Sequence, residues 1–150
     1  GQWLSEAARR GTAVVTTADF VHYGHAYSAA QEMDGMPSDP LHLTRHFRDH
    51  LERALSVALQ ERDYERSHQA CSTTLKSDHR HLLPVIAEYL GRGAEHRLLS
   101  FALSDYQQIL GVPPPCVVAS SLAAYFPAGP DEEEYAGGYE PERDAFASPA

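Results

Sequence analysis

Residues 12–25 read TAVVTTADFVHYGH, and the change of character at Asp19 guides the interpretation of the whole chain. The run from Thr12 to Thr17 is rich in β-branched residues, which predicts a short buried strand. Polar and aromatic residues with a glycine follow from Asp19 to His25, and they predict a loop at the carboxyl end of that strand. Ligands bind at this edge of the sheet in α/β proteins, so Asp19 and His22 are the first candidate site residues.

Asp19 and His22 bring a carboxylate and an imidazole to one loop. A carboxylate beside an imidazole fixes its tautomer and raises its basicity, as general bases and metal ligands require. We therefore expect His22 to act as an acid/base and Asp19 to orient it. The alternative is an aspartate that caps the loop beside a surface histidine, and the local sequence leaves both interpretations open.

The flanking sequence predicts helices and strands in one domain. Apolar residues at every fourth position from Leu43 to Leu59 predict an amphipathic helix over residues 41–61. Pro84 either kinks a later helix or shifts its start. The further predicted elements are helices at 2–10, 63–72 and 78–90 and buried strands at 96–106 and 115–126.

Composition and charge exclude several classes of protein. No apolar run approaches the roughly 20 residues of a membrane span and no signal pattern is present, which predicts a cytoplasmic protein. The net charge is −9, of which residues 131–150 carry −6, and no basic stripe typical of nucleic-acid binders occurs. Cys71 and Cys116 show no metal-binding spacing, and we expect two reduced, buried thiols.

Two further histidine clusters are candidates for chemistry. His42, His46 and His50 share one helical face at a spacing that can bind a metal, although neighbouring charges favour a solvated face. Asp78 and His81 belong to the string DHRH at the start of a predicted helix. Asp78 is then either the N-cap of that helix or an oxygen ligand for Fe(II), Mn or Zn.

The stretch from Val14 to Gly24, VVTTADFVHYG, resembles a Memo-family segment of two hydrophobic residues followed by Ser-Ser-Asp-Phe-x-His-(Trp/Tyr)-Gly. Residues 79–81 (HRH), before an apolar helix, are similar to the family's Cys-Gly-Arg-His-Pro. Weaker matches follow in the same order at residues 99–106 (LSFALSDY) and 118–124 (VASSLAA). Together the four segments cover residues 10–126.

The resemblance implies an α/β fold with a three-layer-like sheet and flanking helices. Class III extradiol ring-cleavage dioxygenases share this fold, as do the bacterial proteins called AmmeMemoRadiSam system protein B. Memo-like proteins bind non-haem iron, or copper, through two histidines and a cysteine, and Asp78 stands at the matching cysteine position. The resemblance implies Asp78 and His22 as metal ligands and His22, Asp19 and His81 as catalytic residues. Fe(II) is the expected metal, with Cu or Zn as alternatives, unless this chain has lost it.

The resemblance also bears on the extent of the domain. We expect residues 1–127 to be the C-terminal half of a Memo-like domain, either as a fragment or as a natural truncation. Residues 128–150 are expected to form an acidic disordered tail. An incomplete sheet exposes an edge, at which self-association with another chain is expected.

Two functional hypotheses follow. In the first, the complete protein is a metal-dependent oxidoreductase, dioxygenase-like, that acts on a small aromatic or otherwise redox-active substrate. In the second, the same vestibule holds a peptide or another partner without turnover, as in a binding scaffold. The replacement of the expected cysteine by Asp78 favours the second hypothesis.

Overall fold

The computed structural model describes residues 13–129. The helix predicted at residues 2–10 and all but the first two residues of the predicted tail lie outside the described residues. A mixed α/β fold is confirmed. Its elements are β1 (Val21–Gly24), α1 (Ala30–Met33), α2 (Pro40–Ser56), a π-helical turn (Val57–Glu61), α3 (Tyr64–Thr73), a 3-10 turn (Asp78–His81), α4 (Leu83–Leu90), β2 (Glu95–Asp105), α5 (Gln107–Leu110) and β3 (Cys116–Phe126).

The amphipathic helix predicted at residues 41–61 is confirmed as α2 and the π-helical turn that continues it. Asp39 caps its start by accepting hydrogen bonds from the backbone N–H groups of Leu41 and His42. The apolar stripe enters the core, where Phe47, Leu51 and Leu55 are at most 1 % exposed. A stripe of this kind makes burial, rather than intrinsic propensity, the main source of helix stability.

The three strands form an antiparallel sheet in the order β1-β3-β2. β2 pairs with β3 along its length, with a register shift between Leu98 and Ser100, and β1 pairs only with the first residues of β3, from Cys116 to Ala119. The core-facing residues of the sheet, such as Tyr23 and Ala119, pack against α2. Leu122, at 59 % exposure, lies on the opposite face of β3.

This exposure corrects the expectation of buried strands. The strands predicted at residues 96–106 and 115–126 are present, but they are not buried on both faces. An antiparallel sheet commonly packs one face on the core and leaves the other in contact with solvent. Residues 13–129 form a small three-stranded antiparallel sheet with helices, and the extradiol-type three-layer arrangement is not confirmed.

The prediction of a strand at Thr12–Thr17 is wrong for residues 13–17, the part that the structure describes. Residues 13–17 have no regular secondary structure, and Val15 is 88 % exposed. The first strand is instead Val21–Gly24, inside the segment expected to be a loop. The reason is tertiary: Val21 and Tyr23 alternate into the core opposite β3, whereas β-branched residues 14–17 find no described strand to pair with.

The two remaining predicted helices are confirmed, with one adjustment. The helix predicted at 63–72 is α3, which begins after the N-cap Asp63. The helix predicted at 78–90 is divided into the 3-10 turn and α4, with Pro84 in the first turn of α4, so the proline shifts the helix start rather than kinking it.

No helix within residues 13–129 has the length and apolar character needed to cross a bilayer. Cys71 and Cys116 are free and buried, as expected.

Gly24 provides a test of the β1–β3 junction. A Cβ atom at this residue would lie 1.9 Å from the carbonyl oxygen of Pro115, a backbone atom that cannot move without disturbing β3. We expect Gly24→Ala to lower the free energy of unfolding by at least about 3 kcal/mol in urea denaturation.

Gly35→Ala is the matched control. Gly35 also has a positive φ of +74°, but a Cβ atom there meets nothing within 4 Å. Gly35→Ala should therefore lower the free energy of unfolding only by the backbone strain, about 1–2 kcal/mol. Equal losses for the two variants would contradict the proposed steric role of Gly24.

Candidate metal centre

Asp19, His22 and Asp78 form one cluster, in which a ligand atom from each lies within 4.8 Å of the others. Asp78 and His22, which the resemblance implies as metal ligands, therefore lie close together. Backbone pairing brings them together: the His22 N–H donates to the Leu75 carbonyl at 2.9 Å, and the Asp78 N–H donates to the Asp19 carbonyl at 3.1 Å. The segment 75–78 thus lies beside β1 and delivers Asp78 to the cluster.

The His22 ring has a fixed orientation. Its Nδ1 lies 2.7 Å from the carbonyl oxygen of Lys76. A carbonyl oxygen only accepts, so Nδ1 carries a proton and donates it. The Nε2 atom faces the other way, 3.3 Å from Asp19 Oδ2. In the neutral ring, Nε2 therefore presents its lone pair to the carboxylates, as a metal-binding histidine does.

Lys76 is the residue that sequence analysis missed at this site. Its backbone is left-handed, with φ +49°, a conformation that costs a non-glycine residue about 1–2 kcal/mol. Its ammonium group bonds the Tyr27 carbonyl at 2.8 Å and pairs with Glu32 at 2.7 Å. No local sequence signal reveals this role, because Lys76 acts through its carbonyl group on a histidine 54 positions away.

The cluster combines two largely exposed carboxylates with a mostly buried imidazole. The side chains of Asp19 and Asp78 are each 60 % exposed, whereas the His22 side chain is only 17 % exposed and contacts Tyr27. Arg80 lies near one oxygen of Asp78, at 3.4 Å, and donates a shorter bond to the Ser77 carbonyl, at 2.7 Å. Carboxylate oxygens and an imidazole nitrogen at these distances are ligand types that a metal ion can use.

Asp78 is not the N-cap that local spacing suggested. Ser77 has the extended backbone of a cap, and its hydroxyl group accepts a hydrogen bond from the His79 N–H at 3.1 Å. The same hydroxyl donates to the Asp19 carbonyl at 3.1 Å. The capping role therefore belongs to Ser77, which leaves the Asp78 carboxylate directed to the cluster.

The other histidine candidates lie elsewhere. His81, expected to be catalytic, is exposed, with its ring 5.6 Å from that of His68, and it is outside the cluster. His42 contacts Asp39, while the rings of His46 and His50 are 4.2 Å apart. Desolvation and the nearby His50 lower the pKa of His46. Residues 13–129 contain no second group of three metal-ligating side chains.

One buried histidine was not singled out by sequence analysis as a site residue. His79 is 2 % exposed, stacks on Phe20 with ring centroids 4.6 Å apart, and lies 2.9 Å from the Tyr125 hydroxyl through Nε2. Burial lowers the pKa of His79 to about 4, so its ring is neutral near pH 7.

In comparisons with known proteins, no family model, no curated protein and no solved structure matches the chain.

The buried His79 predicts a pH dependence of stability. Below pH 6.5 His79 becomes protonated in the unfolded chain. In the folded protein burial keeps it neutral until the pH approaches its pKa of about 4. The stabilisation is therefore fully present above pH 6.5 and declines as the pH falls towards 4, by up to about 3 kcal/mol. Urea denaturation of metal-free protein between pH 4 and pH 7 should show a shallower slope for His79→Phe.

The exposed His25 supplies the control for this measurement. His25→Ala should leave the pH slope of the wild type nearly unchanged, because that residue is exposed. A slope that is the same in wild type and His79→Phe would show that His79 does not titrate between the folded and unfolded states.

Proposed function

We propose that Asp19, His22 and Asp78 bind one divalent transition-metal ion. The observation that carries the proposal is the fixed ring of His22, whose Nδ1 is bonded to the Lys76 carbonyl while Nε2 faces the carboxylates. Metal-binding histidines typically donate their second ring N–H to a carbonyl or carboxylate. Three ligands leave positions for water or substrate.

The ligand types are compatible with Fe(II), Zn or Mn. Imidazole suits Fe and Zn and carboxylates suit Mn, and the set of two carboxylates and one imidazole has one histidine fewer than the usual non-haem Fe(II) set. Copper, an alternative from the resemblance to Memo-like proteins, is less well matched, because Asp78 replaces the soft cysteine ligand. Both cysteines of the chain lie buried outside the cluster.

The proposed activity is that of a metal-dependent oxidoreductase of the Memo-like, extradiol dioxygenase-related kind. The metal would activate a small aromatic or redox-active substrate or O₂. His22 cannot bind the metal through Nε2 and transfer protons through the same atom, and its Nδ1–H is engaged by Lys76. We therefore assign His22 to metal binding, and the exposed Asp19 carboxylate can transfer a proton through the oxygen that does not bind the metal.

Metal titration by calorimetry tests the proposal. Fe(II) under anaerobic conditions, and Zn(II) as a diamagnetic substitute, should bind wild type at one ion per chain. We expect Asp78→Asn to weaken binding by about tenfold or more, because an amide oxygen is a poorer ligand than a carboxylate. Folding should be nearly unchanged, since Ser77 holds the cap.

His42→Ala is the matched control for the titration. Asp39 and His42 repeat the carboxylate–imidazole contact at the same three-residue separation but are not part of a three-residue group. Loss of the His42 side chain should not alter the affinity for the metal ion. Wild-type protein that binds neither ion, or Asp78→Asn with unchanged affinity, would contradict the metal site.

A binding scaffold is the second candidate function. The strand β3 pairs with β1 only as far as Ala119, so residues 120–126 have no second strand partner among residues 13–129. Such an edge offers backbone groups to an extended peptide or to a second copy of the chain. Retention of a peptide partner by metal-free protein, without O₂ consumption, would favour this function. In either case we propose a cytoplasmic setting, where thiols such as those of Cys71 and Cys116 stay reduced.

A further inference from the structure

An open cavity lies behind the cluster, between α4, β3 and residues 13–16. Its volume is about 510 Å³, within the range of about 300–1,000 Å³ typical of small-molecule sites. Phe20 and His79, which directly follow Asp19 and Asp78 in the chain, belong to its wall. The cavity is thus separate from the candidate metal cluster but adjoins it through the backbone.

The wall is almost entirely apolar and carries no charge. Val85 and Ile86 of α4 line the cavity together with residues 121–125 of β3. None of its described lining residues is an acid, a lysine or an arginine. A charged ligand would lose its hydration without gaining a counter-ion, so the cavity is suited to an uncharged, mainly apolar molecule.

One buried polar pair interrupts this wall. His79 Nε2 and the Tyr125 hydroxyl lie 2.9 Å apart, while His79 Nδ1 has no hydrogen-bond partner among the described residues. A buried polar atom without a partner is costly, and such atoms are usually satisfied by an ordered water or a ligand. In a neutral imidazole, one nitrogen donates and the other accepts, so the unpaired Nδ1 is either a donor or an acceptor.

We propose that this cavity binds an uncharged, mainly apolar small molecule carrying one hydroxyl group. The hydroxyl contacts the His79–Tyr125 pair, and the apolar body packs against α4 and β3. His79 Nδ1 is itself buried, so a rotation of the ring brings it to the cavity, and a hydroxyl group, which both donates and accepts, then pairs with it in either tautomer. The proposal requires no metal ion and is independent of the proposed metal site.

The test uses 1-octanol as the probe and 1-fluorooctane as its counterpart without a hydroxyl group. Binding to the whole protein is followed by ligand-observed NMR in excess EDTA, so that failure of the metal proposal does not affect the result. We expect saturable binding of 1-octanol, about fivefold tighter than that of 1-fluorooctane. In His79→Phe this preference should disappear while 1-fluorooctane still binds.

A second pair of variants keeps the proposal testable if His79→Phe does not fold. Val85 is 46 % exposed and lines the cavity, so Val85→Trp should narrow it and weaken binding of both probes. Leu41, 65 % exposed and outside the cavity, provides the control Leu41→Trp, which should bind as wild type does.

Three results would overturn the proposal. Absence of saturable 1-octanol binding would mean that a water suffices at His79, and equal affinity for the two probes would remove the role of the hydroxyl. Binding that is unaffected by Val85→Trp would place the probe elsewhere. A concentration-dependent dimer that binds no probe and dissociates with Leu122→Lys would assign the surface to a second copy of the chain.

Discussion

The pairing of residues 75–78 with β1 is the constraint on which both sites depend. Two backbone hydrogen bonds, from His22 to Leu75 and from Asp78 to Asp19, align the segment with the strand. The Ser77 hydroxyl adds a third connection by donating to the Asp19 carbonyl. Buried backbone N–H and C=O groups need hydrogen-bond partners. The pairing supplies these partners and also positions the side chains of the two sites.

The same pairing divides neighbouring residues between two environments. Asp19 and Asp78 are exposed at the cluster, while the residues that follow them, Phe20 and His79, are buried and stack on each other. A polar surface cluster and an apolar cavity thus share one stretch of backbone. A change in the position of segment 75–78 would therefore alter both sites together.

Sequence periodicity predicted secondary structure correctly where one face of a single helix is buried. The stripe from Leu43 to Leu59 predicted the long helix because each apolar side chain enters the same core. β-branched residues at 14–17 misled for the opposite reason: strand formation depends on a pairing partner, which local sequence does not reveal. The strand formed instead at Val21–Gly24, where the alternate residues Val21 and Tyr23 meet the core.

The three residues of the cluster were predicted from the sequence, but His81 was predicted with them and lies outside it, and the geometry was not predicted. Residue types at Asp19, His22 and Asp78 indicated metal or acid/base chemistry, and resemblance to the Memo family grouped them. The capping role of Ser77 and the orienting role of Lys76 depend on contacts made by the folded backbone. A role carried by a backbone carbonyl leaves no signature in the identity of its side chain.

The most direct test of this account is the ¹⁵N NMR spectrum of the His22 ring with and without Zn(II). The account predicts a proton on Nδ1 in both states, held by the Lys76 carbonyl at 2.7 Å, and a large shift of Nε2 alone when zinc binds. Zinc binding that leaves both ring nitrogens of His22 unchanged, or that displaces the proton from Nδ1, would contradict it.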